Sequence, residues 1–261
     1  MAVPQHHQKH DGRAYVTPHA LLAYRAELGI ATDPAPAAVI CCWQASLFAQ
    51  VRSERTHRRL HGPGEVLLGL AGSAGELIEL DSGVGVCLLP IGAPAAAIVL
   101  EELAALGTTQ VIGVGAAGGL SPELSPGDAV VCTAALRDEG TSHHYLAPAR
   151  FAQPDPTLRE ALSDTAKGAA RGPTWSTDAP YRETLEEIAA YRDEGILTVD
   201  MEAAALFAVA ERLEVRAASL FCVSDVLSGE HWAPHFGARD VDAALRQCFG
   251  AAEAAIAATA R

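Results

Sequence analysis

Aromatic residues are scarce in this chain: Phe, Tyr and Trp make up 5% of 261 residues. Alanine and valine dominate the apolar positions, a composition that suits helices packed tightly on a parallel sheet better than a β-sandwich. Basic residues are also few. Nineteen Lys and Arg stand against 32 Asp and Glu, a formal net charge of −13, which argues against a nucleic-acid partner because phosphate contacts need clustered cations. No apolar run reaches the roughly 18 residues of a membrane span, so no membrane partner is expected. Residues 1–16 are polar and His-rich without a signal-peptide core, and read as a flexible N-terminus on a cytoplasmic protein. The six cysteines, at 41, 42, 87, 132, 222 and 248, show no CxxC spacing and read as buried free thiols. Metal-ligand patterns are missing too. His6, His7 and His10 form a terminal tract of the kind that is usually solvated, and Pro234 interrupts the helical spacing of His231 and His235.

What is present is an alternation of strands and helices with no internal linker, so that 17–261 is expected to form one domain. Helices are expected at 18–28, 44–53, 94–106, 156–167, 181–192, 201–212 and 240–258. Strands are expected at 38–42, 84–90, 110–114, 129–134 and 216–224, with 66–70 and 77–80 as a hairpin around Gly72 to Gly75. The strands flanking 94–106 form a β-α-β unit, whose right-handed crossover makes them parallel. Residues 137–145 read as a polar loop too rich in functional groups for a core. The fold class is α/β, a mixed and mostly parallel central sheet flanked by helices.

Gly113-Val-Gly-Ala-Ala-Gly-Gly119 follows the apolar run at 109–112 and reads as a strand opening into a glycine turn, where backbone can approach a ligand. It matches GxGxxG, and Asp138 and Glu139 lie about 20 residues on, where a ribose-binding acid would be sought. A dinucleotide site, however, needs a helix at the third glycine to hold pyrophosphate, and Pro122 and Pro126 prevent one. That removes an oxidoreductase reading.

Three ordered blocks carry a more specific signal. Val114-Gly-Ala-Ala-Gly-Gly-Leu-Ser-Pro-Glu-Leu-Ser-Pro-Gly-Asp128, Val199-Asp-Met-Glu-Ala-Ala-Ala205 and Cys222-Val-Ser-Asp-Val226 together resemble the nucleoside phosphorylase and nucleosidase superfamily. The similarity runs from about residue 38 to the C-terminus. It implies cleavage of the N-glycosidic bond of a small nucleoside, without a cofactor and with phosphate as the co-substrate of the phosphorolytic members.

Position and resemblance point to the same residues. Asp225 follows a strand end, where ligands bind in open parallel sheets. From spacing alone a turn or capping Asp is the favoured reading. The resemblance favours a general acid that protonates the leaving base, since purine-cleaving members carry Ser-Asp here. Asp200 could cap the following helix, with Asp200 and Glu202 both complementing its dipole. By resemblance Glu202 accepts hydrogen bonds from ribose hydroxyls and steadies an oxocarbenium-like sugar, while Met201 packs on the sugar. Ala117, Gly118 and Ser224 complete the substrate-binding set implied by the blocks. The segment 174–184 resembles the family's base-recognition segment, with Tyr181 as an aromatic wall and Arg182 toward a base carbonyl. An Arg182–Glu186 pair on a helix surface is the plainer reading.

Three departures bear on the nucleophile. Where phosphorolytic relatives hold phosphate, this chain has Cys42-Trp-Gln-Ala-Ser46, then Gly113, then Ala116, none of them a cation. Hydrolytic relatives use a Glu near the first of these places, where Gln44 and Ser46 stand. Water or phosphate therefore both stay open, and a nucleoside-binding protein without turnover is the alternative. The family completes its site across a subunit interface, so a homo-oligomer, dimer or hexamer, is expected, with His19, Arg55, Arg58 and Arg59 as candidates lent to a neighbour.

Overall fold

Every residue from Val39 to Cys42 is buried, as in a strand covered on both faces. The computed structural model describes residues 4, 6, 9, 10, 12–63, 75–227 and 232–260. In chain order they form α1 (Pro18–Glu27), β1 (Ala38–Cys42), α2 (Ala45–Glu54), β2 (His57–Leu60), β3 (Leu77–Leu80), β4 (Gly85–Leu88), α3 (Ala93–Ala105), β5 (Gln110–Gly119), β6 (Ala129–Asp138), β7 (Phe151–Ala152), α4 (Pro156–Thr165), β8 (Ala170–Thr177), α5 (Leu185–Asp193), β9 (Thr198–Asp200), α6 (Ala203–Leu213), β10 (Arg216–Val226), β11 (Ala233–Pro234) and α7 (Arg239–Thr259). Successive β1 side chains enter opposite cores. Val39 and Cys41 pack with α3 and α6, and Ile40 and Cys42 with α2, α4 and α7. The result is the expected single α/β domain with helices on both faces of a mixed sheet.

Strand β1 lies parallel to β4 and β5, and β5 parallel to β10. The crossover through α3 is thus as expected. The sheet also closes on itself. Strand β10 pairs antiparallel with β6, β6 parallel with β8, β8 parallel with β9, and β9 antiparallel with β5. Five strands so form a ring beside the open sheet.

The expected glycine turn at 113–119 is a strand instead, because β10 supplies a partner along its whole length and β9 another at its end. None of these glycines has a positive φ. Their use is the missing Cβ, which permits close approach. A Cβ on Gly113 would stand 2.9 Å from Ser219 Oγ and 3.3 Å from Trp43 Cη2, and one on Gly115 3.1 Å from Trp43 Cε3.

Other expectations shift. The hairpin partner at 66–70 lies outside the described residues, while β3 pairs with the unforeseen β2 and with β4. Strands β7, β8, β9 and β11 are short or polar and gave no apolar alternation to read. Helix α5 starts at Leu185 rather than 181, because Thr184 and Glu187 form a capping box there. Tyr181 and Arg182 lie before it in a 3₁₀ turn, so the Arg182–Glu186 helix pair does not arise. The segment 137–145 is partly core. Arg137, Glu139 and Ser142 are buried, with Arg137 donating to Ser142 Oγ at 2.9 Å and to the Ala147 and Leu146 carbonyls at 2.8 and 3.1 Å. Among the described residues no helix is long and apolar enough to cross a membrane.

Gly113→Val is expected to destabilise the domain by about 1–3 kcal/mol through overpacking against Ser219 and Trp43. Urea denaturation gives the test, and an unchanged midpoint would show spare room at this contact.

Candidate active site

A β-bulge sets the position of Asp225 near the carboxyl end of β10. Val223 pairs with Ala117 and Asp225 with Gly118, so Ser224 is the extra residue. The bulge re-aims the strand end. Gly118 also pairs with Val199 of β9 on its other side. One residue without a side chain therefore lies between the strand that ends in Asp225 and the strand that ends in Asp200. A Cβ there would stand 2.5 Å from Leu227 Cδ1, 3.0 Å from Val199 Cγ1 and 3.4 Å from Asp225 Oδ2.

These strand ends line a cavity of about 640 Å³, a volume suited to a small organic ligand. Asp225 is 6% exposed. Its Oδ1 accepts from Ser224 Oγ at 2.8 Å and its Oδ2 from the Trp232 indole N–H at 2.7 Å. Glu202 stands just before α6 rather than in its first turn, because the helical N–H groups turn back to Asp200. Its Oε1 accepts from the Gly92 N–H at 2.6 Å. Gly92 adopts φ +108° ahead of α3, a conformation that favours glycine. Burial, reinforced by the Asp200 charge, pushes the Glu202 carboxyl up to about 8.

Asp200 is a clamp. Its Oδ1 accepts from Ser176 Oγ at 2.7 Å and Thr174 Oγ1 at 3.2 Å, and its Oδ2 from the N–H groups of Glu202 at 2.8 Å and Ala203 at 2.6 Å. Burial raises its proton affinity and these bonds oppose that. The residue borders the cavity, yet both oxygens are taken up internally. Glu202 rather than the expected Asp200 is the N-cap residue of α6, although Asp200 Oδ2 accepts from the N–H groups that open the helix.

Ala117, Gly118, Met201, Ser224 and Tyr181 line the same cavity with Asp200, Glu202 and Asp225. Tyr181 is fully exposed at the rim. Arg182 is not among the described residues that line the cavity. The residues expected to serve a neighbouring subunit are engaged by acids or exposed within this chain. Arg58 pairs with Glu79, Arg59 with Glu76 and Arg55 with Glu253, and His19 is exposed on α1.

Several lining residues had no site role from sequence, among them one acid and three aromatics. Glu183 is half-buried, and its carboxyl is pushed up to about 7 by burial and then by the charges of Asp225 and Glu187. Trp232 and Phe236 form part of the wall, and an aromatic within the polar run following Ser224-Asp225 was the available signal. Trp43 lays its ring against Gly113 and Gly115. With Gln44 it lines the cavity's other end, where Trp43 Nε1 and Gln44 Oε1 are buried without a hydrogen-bond partner. The described lining includes four carboxylates and no Lys, Arg or His. Among the described residues no group of three or more His, Cys, Asp or Glu could hold a metal ion.

A family profile described as the phosphorylase superfamily matches residues 39–259. The chain belongs to this superfamily. Its relatives include a guanosine phosphorylase of Halorubrum lacusprofundi, 37% identical over 142 residues, covering 53% of this chain and 59% of that one. The alignment thus spans less than two thirds of that relative. A uridine phosphorylase of Haemophilus influenzae is 29% identical over 185 residues, covering 64% and 73% of the two chains. Among solved structures, purine nucleoside phosphorylase from Toxoplasma gondii in complex with immucillin-H has a TM-score of 0.75 at 21% identity, over 86% of this superfamily member and 92% of that chain. Uridine phosphorylase from Vibrio fischeri has a TM-score of 0.72 at 23% identity, covering 87% and 95%. These two likenesses establish the shared fold.

The Glu202 shift implies a pH dependence of stability. Its folded-state carboxyl holds a proton more tightly than the unfolded one, so its contribution weakens stability as pH rises from about 4.5 toward about 8. Glu202→Gln removes this titration while keeping an acceptor for Gly92. The variant is expected to lose less stability than the parent between pH 5 and pH 8 in parallel urea titrations. Equal losses would show that Glu202 titrates alike in both states.

Proposed function

We propose that this superfamily member cleaves the N-glycosidic bond of a purine-like nucleoside, with water as the preferred acceptor. The observation that carries the reading is the placement of Asp225 and Glu202 on one cavity wall without a cationic side chain among the described lining residues. In this reading the C1′–N bond breaks with its electron pair passing to the base, and the Asp225 carboxyl delivers a proton to a base nitrogen. Glu202 binds ribose hydroxyls through its remaining oxygen and stabilises positive charge developing on the sugar. A water oxygen bonds C1′, and the proton it releases restores the acid. Met201 packs beside the sugar, with Tyr181 at the open rim. The guanosine phosphorylase relative supports a purine base.

The preference for water rests on charge. A phosphate ion beside Glu202 and Asp225 needs compensating Arg or Lys forks, whereas Gly113, Gly115 and Ala116 present none and Trp43 covers the first two. Phosphorolysis is the second reading, favoured by the names of the relatives, and it requires cations from a neighbouring subunit of a homo-oligomer. The chemistry needs no cofactor, and the setting proposed for it is the cytoplasm.

A panel of purine and pyrimidine nucleosides, incubated with and without phosphate, tests both readings. Free base and free ribose at a rate insensitive to phosphate are the expected products. Saturable dependence on phosphate, with ribose 1-phosphate released, overturns the hydrolytic reading, and binding without any product favours a nucleoside-binding protein. Asp225→Asn is expected to reduce kcat on purine nucleosides about 10²- to 10⁴-fold while sparing binding. Unchanged turnover would remove Asp225 from the chemistry.

A further inference from the structure

The two oxygens of Asp225 are held by different kinds of donor. Ser224 Oγ is its immediate chain neighbour and reaches Oδ1 at 2.8 Å, whereas Trp232 comes from beyond the strand and donates its indole N–H to Oδ2 at 2.7 Å. The backbone fixes that approach. Strand β11 folds back antiparallel on β10, pairing Asp225 with Pro234 and Val226 with Ala233, and the His235 N–H donates to the Ser224 carbonyl at 2.9 Å. The Trp232 ring leans on Phe236 with centroids 6.0 Å apart. It remains 61% exposed while lining the cavity. Burial of a hydrophobic surface therefore does not explain its position, and the directed hydrogen bond does.

We propose that Trp232 is the positioning residue for Asp225: its indole N–H fixes the plane of the carboxyl so that the acid faces the leaving base. An indole is a neutral, donor-only group. It orients the carboxyl without adding positive charge beside it, as Arg or Lys would, and the described lining contains neither. Each carboxyl oxygen accepts one of these bonds and keeps a second site for the ligand. Glu183, the other acid near Asp225, stands in the loop ahead of α5 and lines the same cavity. Trp232 and Ser224 hold the Asp225 carboxyl in a fixed direction.

This inference rests on the cleavage reading for its kinetic test. The readout is the ratio of kcat for a purine nucleoside to kcat for 4-nitrophenyl riboside, whose phenolate departs without a proton. Trp232→Phe keeps an aromatic ring and loses the donor, and is expected to lower that ratio about 10- to 100-fold. In an Asp225→Asn background the same substitution is expected to leave the ratio unchanged. Equal losses on both substrates, or additive losses in the double variant, would overturn positioning and leave Trp232 as a wall. If the parent enzyme releases no base from any nucleoside, the cleavage reading fails separately. The cycle is then read on the Kd of a purine base, where coupling between Trp232 and Asp225 supports positioning and additivity overturns it.

Discussion

The architecture of the site depends on a close approach at Gly118. This residue is flanked by Asp225 of β10 and Val199 of β9, so the strands bearing both acids meet across a position that has no side chain. A larger residue would push Val199 and Leu227 away and move Asp225 and Asp200 with them. Gly113 and Gly115 repeat the device further down β5, where the missing Cβ atoms admit the Trp43 ring. The chemistry of glycine here is absence of volume rather than freedom of φ.

Electrostatics imposes the second constraint. Asp200, Glu202 and Asp225 are buried in a pocket without a cation among its described walls, and carboxylates in such a place must be hydrogen-bonded or take up protons. Both answers are present. Asp200 meets the cost with four donors, which also fix the backbone that presents Glu202. Glu202 has one backbone donor and a raised proton affinity. Asp225 has two neutral donors, one of them just ahead of β11, which is not part of the ring. Superfamily membership and this electrostatic pattern pull apart on one point, the anion. Relatives are named as phosphorylases, while the described cavity lining of this chain carries four carboxylates and no Lys, Arg or His.

The sequence alone determined the class of fold, the parallel β1, β4 and β5 core, the family and part of the cavity wall, because these follow from apolar periodicity and from short ordered blocks. It grouped Asp225, Glu202 and Met201 in one expected site, and all three line one cavity although Asp225 lies on a different element. It could not separate Asp200 from Glu202 in role. That division depends on Thr174 and Ser176 of β8, a strand with little apolar alternation, whose contact with β9 exists only after the ring closes.

Tertiary structure likewise decided what the glycine run does. GxGxxG-like spacing suits a turn or a strand equally, and pairing with β10 and β9 selects the strand. Arg182 lies outside the described cavity lining, in a 3₁₀ turn ahead of a helix that the capping box at Thr184 delays, and Arg58 and Arg59 are engaged by acids on neighbouring segments. Trp232 entered it because β11 returns along β10, a two-residue pairing with no periodic signature. Local chemistry is written in the chain, but which polar groups satisfy one another is set by contacts between residues far apart in sequence, and those contacts exist only when the strands have met.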